Sequence, residues 1–260
     1  MAELQFLIDN IEIYVLVFVR VAGIFLFNPI ISKANIPATV RTALALTLTV
    51  MITPAIQIPA DFEPGTFDFL LGFLKEIAVG LLLGYVFNIF YYMLMAAGDI
   101  LDMDQGFGMA KNFDPATNIQ TSVISQLLHI MFILLFFVTN SHHALINITV
   151  SSFDIAPIGL EGFALDSAAA FAIDLFGNTF AVAMKLTIPF ICAQFILEVS
   201  LGILMKLIPQ IHVFVINFQL KIILAIILLF VLAYPTAAFI DNYIIMMFDE
   251  AKNALLSLKG

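Results

Sequence analysis

The sequence has little cysteine, little charge and no cluster of basic residues. Cys192 is its one cysteine, so an intrachain disulfide is impossible and neither a structural zinc site nor a redox pair is indicated. That cysteine reads as a small buried apolar residue. Ten Lys and Arg stand against nineteen Asp and Glu, a net charge of −9. Nucleic-acid binding needs clustered positive charge to neutralise phosphates, and none is present. Phosphate-cradle and nucleophile-turn motifs, Gly-x-x-x-x-Gly-Lys-Ser/Thr and Gly-x-Ser-x-Gly, are absent, so an enzyme is not indicated and any transport needs nucleotide energy from another component. His129, His142, His143 and His212 show no metal-ligand spacing, and no metal or cofactor is expected. Residues 1–10 carry Glu3 and Asp9 but no base, unlike a cleavable signal, so the first apolar run is expected to be retained.

What the chain does have is apolar length. Of its 260 residues, 62% are hydrophobic and 11% charged, with a mean hydropathy of +1.09, which places it among integral membrane proteins. Since a helical crossing takes about twenty apolar residues, six segments are candidates: 11–31, 42–58, 67–97, 123–139, 168–201 and 222–240. The fold class expected is an all-α membrane protein forming one unit over residues 1–260, because no polar connection is long enough for a soluble domain. Two of the runs exceed one crossing, so tilt, bending or packing on other protein is expected. Pro29, Pro37, Pro54, Pro59, Pro189, Pro209 and Pro235 lie in or beside apolar runs, where each removes a backbone donor and bends or ends a helix. Bases in the connections favour an outside N-terminus and inside connections near Lys33, Gly106 and Lys206, against the opposing pull of Lys252 and Lys259.

Between two of the most apolar runs lies a polar stretch, residues 98–122, too rich in glycine and acid to read as helix. Irregular backbone at membrane depth is tolerated only where it is buried in protein or lines an aqueous path. Ionisable residues singled out in or beside the apolar runs are Arg20, Lys75, Glu76, Lys185, Glu198 and Lys221. Such groups face protein or water. Structural ion pairs between helices or subunits are the first reading, and a proton or ion relay through Glu76 and Glu198 the second. Adjacent on a helix, Lys75 and Glu76 point about 100° apart, so each needs a partner elsewhere. Gly80-Leu-Leu-Leu-Gly84 allows close approach of another helix, within the chain or from a neighbouring subunit. The segment 242–260 places Ile244, Met247, Phe248, Ala251, Leu255 and Leu258 on one helical face, as an amphipathic packing or docking helix does.

Several short patterns occur in a fixed order: Arg20-x-x-Gly-x-Phe25, Ile36-Pro-x-x-x-Arg41, Glu76-Ile-x-x-Gly80-x-x-x-Gly84, Gln105-Gly-x-Gly-Met109 and Pro209-Gln210-x-x-Val213-Phe214. With the chain length, they resemble the FliR family of bacterial flagellar biosynthesis proteins, whose SctT-type counterparts belong to type III secretion export gates. The resemblance covers almost the whole chain. It departs at His212, where the family usually carries methionine there or alongside, and at Asn217, Phe218 and Gln219, where a glycine-proline pair is common.

The resemblance implies a non-enzymatic core subunit of the export gate in the flagellar basal body, multi-pass in the bacterial inner membrane. Bent helical hairpins would pack in a helical assembly with FliP-like and FliQ-like subunits, with FlhB and FlhA as neighbours, around a channel for unfolded flagellar subunits. It also implies that the central polar stretch is a plug, with Gly106, Phe107, Gly108, Met109, Lys111, Phe113 and Asp114 as its gate residues and Pro209, Gln210, Val213 and Phe214 as a turn motif. A plain solvated cytoplasmic turn is the other reading of that stretch. Docking to a partner such as FlhB is one use for the C-terminal helix. An autonomous secondary transporter of a small solute remains the alternative function.

Overall fold

Apolar runs this long have one economical backbone solution in hydrocarbon, because a helix satisfies its N–H and C=O groups internally. The computed structural model describes residues 11–32, 37–56, 66–109, 122–158, 164–207 and 213–258. Among them the elements are α1 (Ile11–Leu26), α2 (Pro29–Ser32), α3 (Ala38–Ile52) with a 3₁₀ turn at Thr53–Ala55, and α4 (Thr66–Asp104) with a 3₁₀ turn at Phe107–Met109. After these come α5 (Val123–Val138), α6 (Ser141–Ile155), α7 (Leu165–Leu207), α8 (Val213–Val231) and α9 (Ala233–Ser257). Every described element is helical, so the protein is all-α.

Among the described residues, three stretches are long and apolar enough to cross a membrane, namely Ala38–Ala55, Phe67–Asp104 and Asp166–Leu207. Counting α5 with α6 and α8 with α9 as broken spans raises the number to five. Six apolar runs were expected. Among the described residues the first run does not form one span: α1 stops at Leu26 and α2 restarts at Pro29. Buried Asn28 makes the break, its Oδ1 accepting from the Ile30 N–H at 2.9 Å, while Asn88 of α4 donates to the carbonyl of Phe27 and, at 2.8 Å, to that of Gly84.

The prolines behave unequally. Pro29 opens α2, Pro37 precedes α3, Pro54 sits in a 3₁₀ turn and Pro235 lies in the first turn of α9, all places where a missing N–H costs little. Pro189, however, lies inside α7, which continues through it. Pro59, Pro209 and Gln210 fall outside the described residues, as does His212; α8 begins at Val213, well before Lys221.

The chain divides into two units. The first comprises residues up to Tyr91, Asn140–Gly177 and Ile245 onward; the second comprises Tyr92–Thr139 and Asn178–Ile244. In the first unit Leu16, Val21 and Ile24 of α1, Leu83 and Phe87 of α4, Phe153 of α6 and Met247, Ala251 and Leu255 of α9 form the buried core. The apolar face expected of the C-terminal segment is therefore consumed inside the chain: Phe248 packs edge-on against Phe87, centroids 5.8 Å apart, while Asp249, Lys252 and Asn253 are exposed. In the second unit the core holds Leu94 and Leu101 of α4, Ile124, Phe132 and Phe136 of α5, Phe190 of α7 and Ala225 of α8.

Two expectations are corrected. Residues 98–104 of the polar stretch are helical, forming the last turns of α4. Cys192 is exposed on α7 and not buried; the long helix is itself mostly uncovered, with more than half of its residues exposed.

Candidate functional site

The first unit centres on a pair of charges that hydrocarbon makes costly. Arg20 of α1, 1% exposed, meets Glu76 of α4 in a two-pronged contact, Nε to Oε2 at 2.5 Å and Nη2 to Oε1 at 2.8 Å. Its remaining Nη1 donates to the Ser152 carbonyl at 2.8 Å and faces the Ser152 hydroxyl at 3.4 Å. The guanidinium also lies 4.1 Å from the centroid of the Phe153 ring, a favourable cation–π placement. Bidentate geometry and the extra acceptors offset the desolvation of both ions. Both Glu76 oxygens are taken by a group that does not deprotonate. The arrangement is thus chemically a tie joining α1, α4 and α6.

Glycine makes that tie reachable. A Cβ built on Gly23 would lie 2.8 Å from the Gly80 Cα, and one on Gly80 would lie 2.9 Å from the Arg20 carbonyl oxygen. On Gly84 it would meet the Phe27 Cβ at 2.9 Å. Here the Gly80/Gly84 motif serves packing within the chain, bringing α1 and α4 backbone to backbone. Gly72 has only ordinary contact, with Leu16 at 3.9 Å. Lys75, adjacent to Glu76, is half-buried.

The second unit contains the stem of the central polar stretch. Asp102, fully buried near the end of α4, accepts from the N–H groups of Val123 at 3.0 Å and Ile124 at 3.4 Å, so a carboxylate from another helix caps the start of α5. Ser122 is the local cap, its Oγ accepting from the Ser125 N–H at 3.1 Å. Ser125 Oγ reaches the Met95 carbonyl and Asp99 Oδ1, both at 2.8 Å. At Gly98 a Cβ would lie 2.6 Å from the Ser125 Cα. Acids and glycine that looked helix-breaking instead bind α4 to α5, which is why the helix persists to Asp104. Replacing Asp102 by Ala removes the cross-helix cap; a loss of about 1 kcal/mol is expected, read as a lower melting midpoint of the purified protein, with Asp102→Asn losing less.

Beyond the stem, Gly106 has φ of +84°, a conformation that costs a residue with a Cβ about 1–2 kcal/mol. A Cβ there would stand 3.4 Å from the Phe218 ring of α8. Lys221 of α8 forms an ion pair with Glu198 of α7 and donates through Nζ to the Asp104 carbonyl at 3.2 Å; Gln194 donates to the Lys221 carbonyl at 3.1 Å. Phe107 and Gly108 are half-buried. The side chain of Met109, and Lys111, Phe113 and Asp114, lie outside the described residues, as do the side chains of Val213 and Phe214. Lys185 is exposed in the middle of α7.

An apolar cavity of about 340 Å³ also lies in this unit, lined by Leu101, Ile124, Leu128, Leu186, Phe190 and Thr236 among others. Its lining is almost entirely hydrocarbon, with Thr236 as the polar exception.

Of the six charges singled out from sequence, four are brought together as two pairs, Arg20–Glu76 and Lys221–Glu198. Sequence reasoning missed Ser152 and Phe153 as partners of Arg20, Asn88 at the α1–α2 break, and the capping by Asp102. A serine directly before the apolar run of α5 was the one readable cap signal.

These features define an all-α, multi-pass membrane protein whose charges within apolar helices largely act as ties between them. The chain matches the bacterial export proteins, family 1, over residues 11–247, and belongs to that family. It is 30% identical to flagellar biosynthetic protein FliR of Bacillus subtilis strain 168, over 98% of each chain. Identity to FliR of Escherichia coli K12 is also 30%, over 95% of this chain and 93% of the relative. The Yop proteins translocation protein T of Yersinia pestis is 27% identical over 94% of this chain and 90% of its own. Membership makes the chain a component of a type III export apparatus, a multi-subunit membrane assembly.

Proposed function

We propose that the chain is a non-enzymatic core subunit of the flagellar type III export gate, in the bacterial inner membrane, forming part of the channel for unfolded flagellar subunits. Its partners in this reading are FliP-like and FliQ-like subunits, with FlhB and FlhA as neighbours. The observation that carries it is the end-to-end match to flagellar relatives, 98% of each chain in one case. The bareness of α7 supports it: a long apolar helix with most of its residues exposed suits a subunit completed by others. The test is purification of the chain from its own membranes. FliP-like and FliQ-like subunits are expected to co-purify; a chain that purifies alone and moves a small solute would mean the transporter alternative.

The central stretch 98–122 acts in this reading as the channel plug. Its stem is fixed by Asp102, Ser122 and Ser125, so the segment beyond it can be shortened without dismantling α4 or α5. Deleting residues 106–112 is expected to leave the complex assembled and to increase ion conductance across membranes that contain it. Unchanged conductance in a demonstrably assembled complex removes the plug assignment.

A further inference from the structure

We propose that Lys185 marks the surface of α7 that receives a carboxylate-bearing helix of a partner subunit. The charge stands about halfway along a 43-residue helix, on the order of 30 Å from either end at 1.5 Å per residue. It is exposed, and no hydrogen bond or ion pair engages it among the described residues. Its neighbours one turn away in either direction are Ala181, Val182, Ile188 and Pro189, so the helix offers it no acid at the i±3 or i±4 positions that pair on a helix surface. The other acids that face bases in these helices are occupied, Glu76 by Arg20 and Glu198 by Lys221.

A second polar group sits on the same turn. Pro189 has no N–H, so the carbonyl of Lys185 lacks the donor that an α-helix normally supplies from the fourth residue on. The turn therefore presents an ammonium needing an acceptor and a carbonyl needing a donor, framed by exposed Ile188 and Cys192. A bare lysine at the centre of an apolar helix is costly in hydrocarbon and calls for a counterion. A polypeptide helix carrying Asp or Glu beside a hydroxyl or amide satisfies both groups and also buries the exposed apolar side chains around them, such as Ile188, which a polar lipid headgroup does not. Charge complementarity thus favours a protein partner over a lipid headgroup. This rests on the reading of the chain as a subunit of a hetero-oligomer.

The test is zero-length cross-linking of the assembled complex in native membranes with a carbodiimide, which joins an amine to a carboxylate only when they touch. A peptide containing Lys185 is expected to be recovered linked to an Asp or Glu of a co-purifying subunit. Lys185→Arg keeps the charge but not the reactive amine; it is expected to preserve assembly and abolish the link. Lys185→Met should lower recovery of that subunit several-fold, and Lys185→Glu at least tenfold. Labelling of Lys185 by a membrane-impermeant amine reagent in the assembled complex overturns the proposal, because the residue then faces water. So does a protected amine that gives no protein link while Lys185→Met assembles normally, which places it against lipid. A complex with FliP-like and FliQ-like partners but no link sinks this inference alone; absence of those partners sinks the functional reading itself.

Discussion

Replacing Arg20 by Met is expected to destabilise the protein by about 3–5 kcal/mol, the loss typical when one partner of a buried ion pair is removed. Glu76 then keeps a buried charge without its counterion, and the Ser152 carbonyl loses a donor 2.8 Å away. Since whole domains are stable by about 5–15 kcal/mol, that loss is a large share of the total. Little folded protein should accumulate in membranes, and the detergent-solubilised remainder should melt at lower temperature. Glu76→Gln should lose less, because the amide oxygen still accepts from the guanidinium. Arg20→Lys should not restore the wild-type midpoint, since one ammonium cannot reproduce a fork that engages two carboxylate oxygens and a carbonyl. The double variant Arg20→Met/Glu76→Met removes both charges and should recover most of the stability lost by either single change. A wild-type melting midpoint for Arg20→Met would show that the pair is not a tie.

The second large effect is expected at Gly80. An alanine Cβ there falls 2.9 Å from the Arg20 carbonyl oxygen and 3.1 Å from the Gly23 Cα. Those atoms belong to backbone and cannot rotate aside, so α1 and α4 must separate. Glu76 lies one turn earlier on α4, so separation also stretches the ion pair. Gly80→Ala should cost about 1–3 kcal/mol through overpacking, and Gly80→Leu should abolish the folded form. The internal control is Gly177, where an added Cβ meets nothing within 4 Å. Gly177→Ala should be neutral or stabilising by about 0.5–1 kcal/mol from helix propensity alone. Comparable melting midpoints for Gly80→Ala and Gly177→Ala would remove the argument for backbone contact.

How much of this was legible in the sequence depended on the range of the interaction. The apolar runs of α4, α5 and α7 could be read because hydropathy is a property of each residue summed over a local window. The ordered motifs pointed to the family, and the C-terminal helix showed its buried face through spacing alone. The partner of Arg20 could not be read, because Glu76 lies 56 residues away and nothing local links them. The central stretch was misjudged at its start for a related reason. Gly98, Asp99 and Asp102 have poor helix propensity, but their contacts with Ser125 and the first N–H groups of α5 outweigh it. The Gly80 motif announced a close neighbour without saying which, and Gly23 identifies it as α1. Lys185 was visible as a charge in an apolar run; that it stays exposed on α7 emerges only when the helices are packed.

The bareness of α7 also bears on how the protein survives in a cell. A chain that leaves so much of a long apolar helix uncovered resembles, before assembly, an unfinished product to membrane proteases and chaperones. Its abundance should then track the supply of whatever covers that helix, so synthesis of the chain in excess yields turnover and not surplus apparatus. Degradation of the orphan would then by itself hold the chain to the amount its assembly takes up.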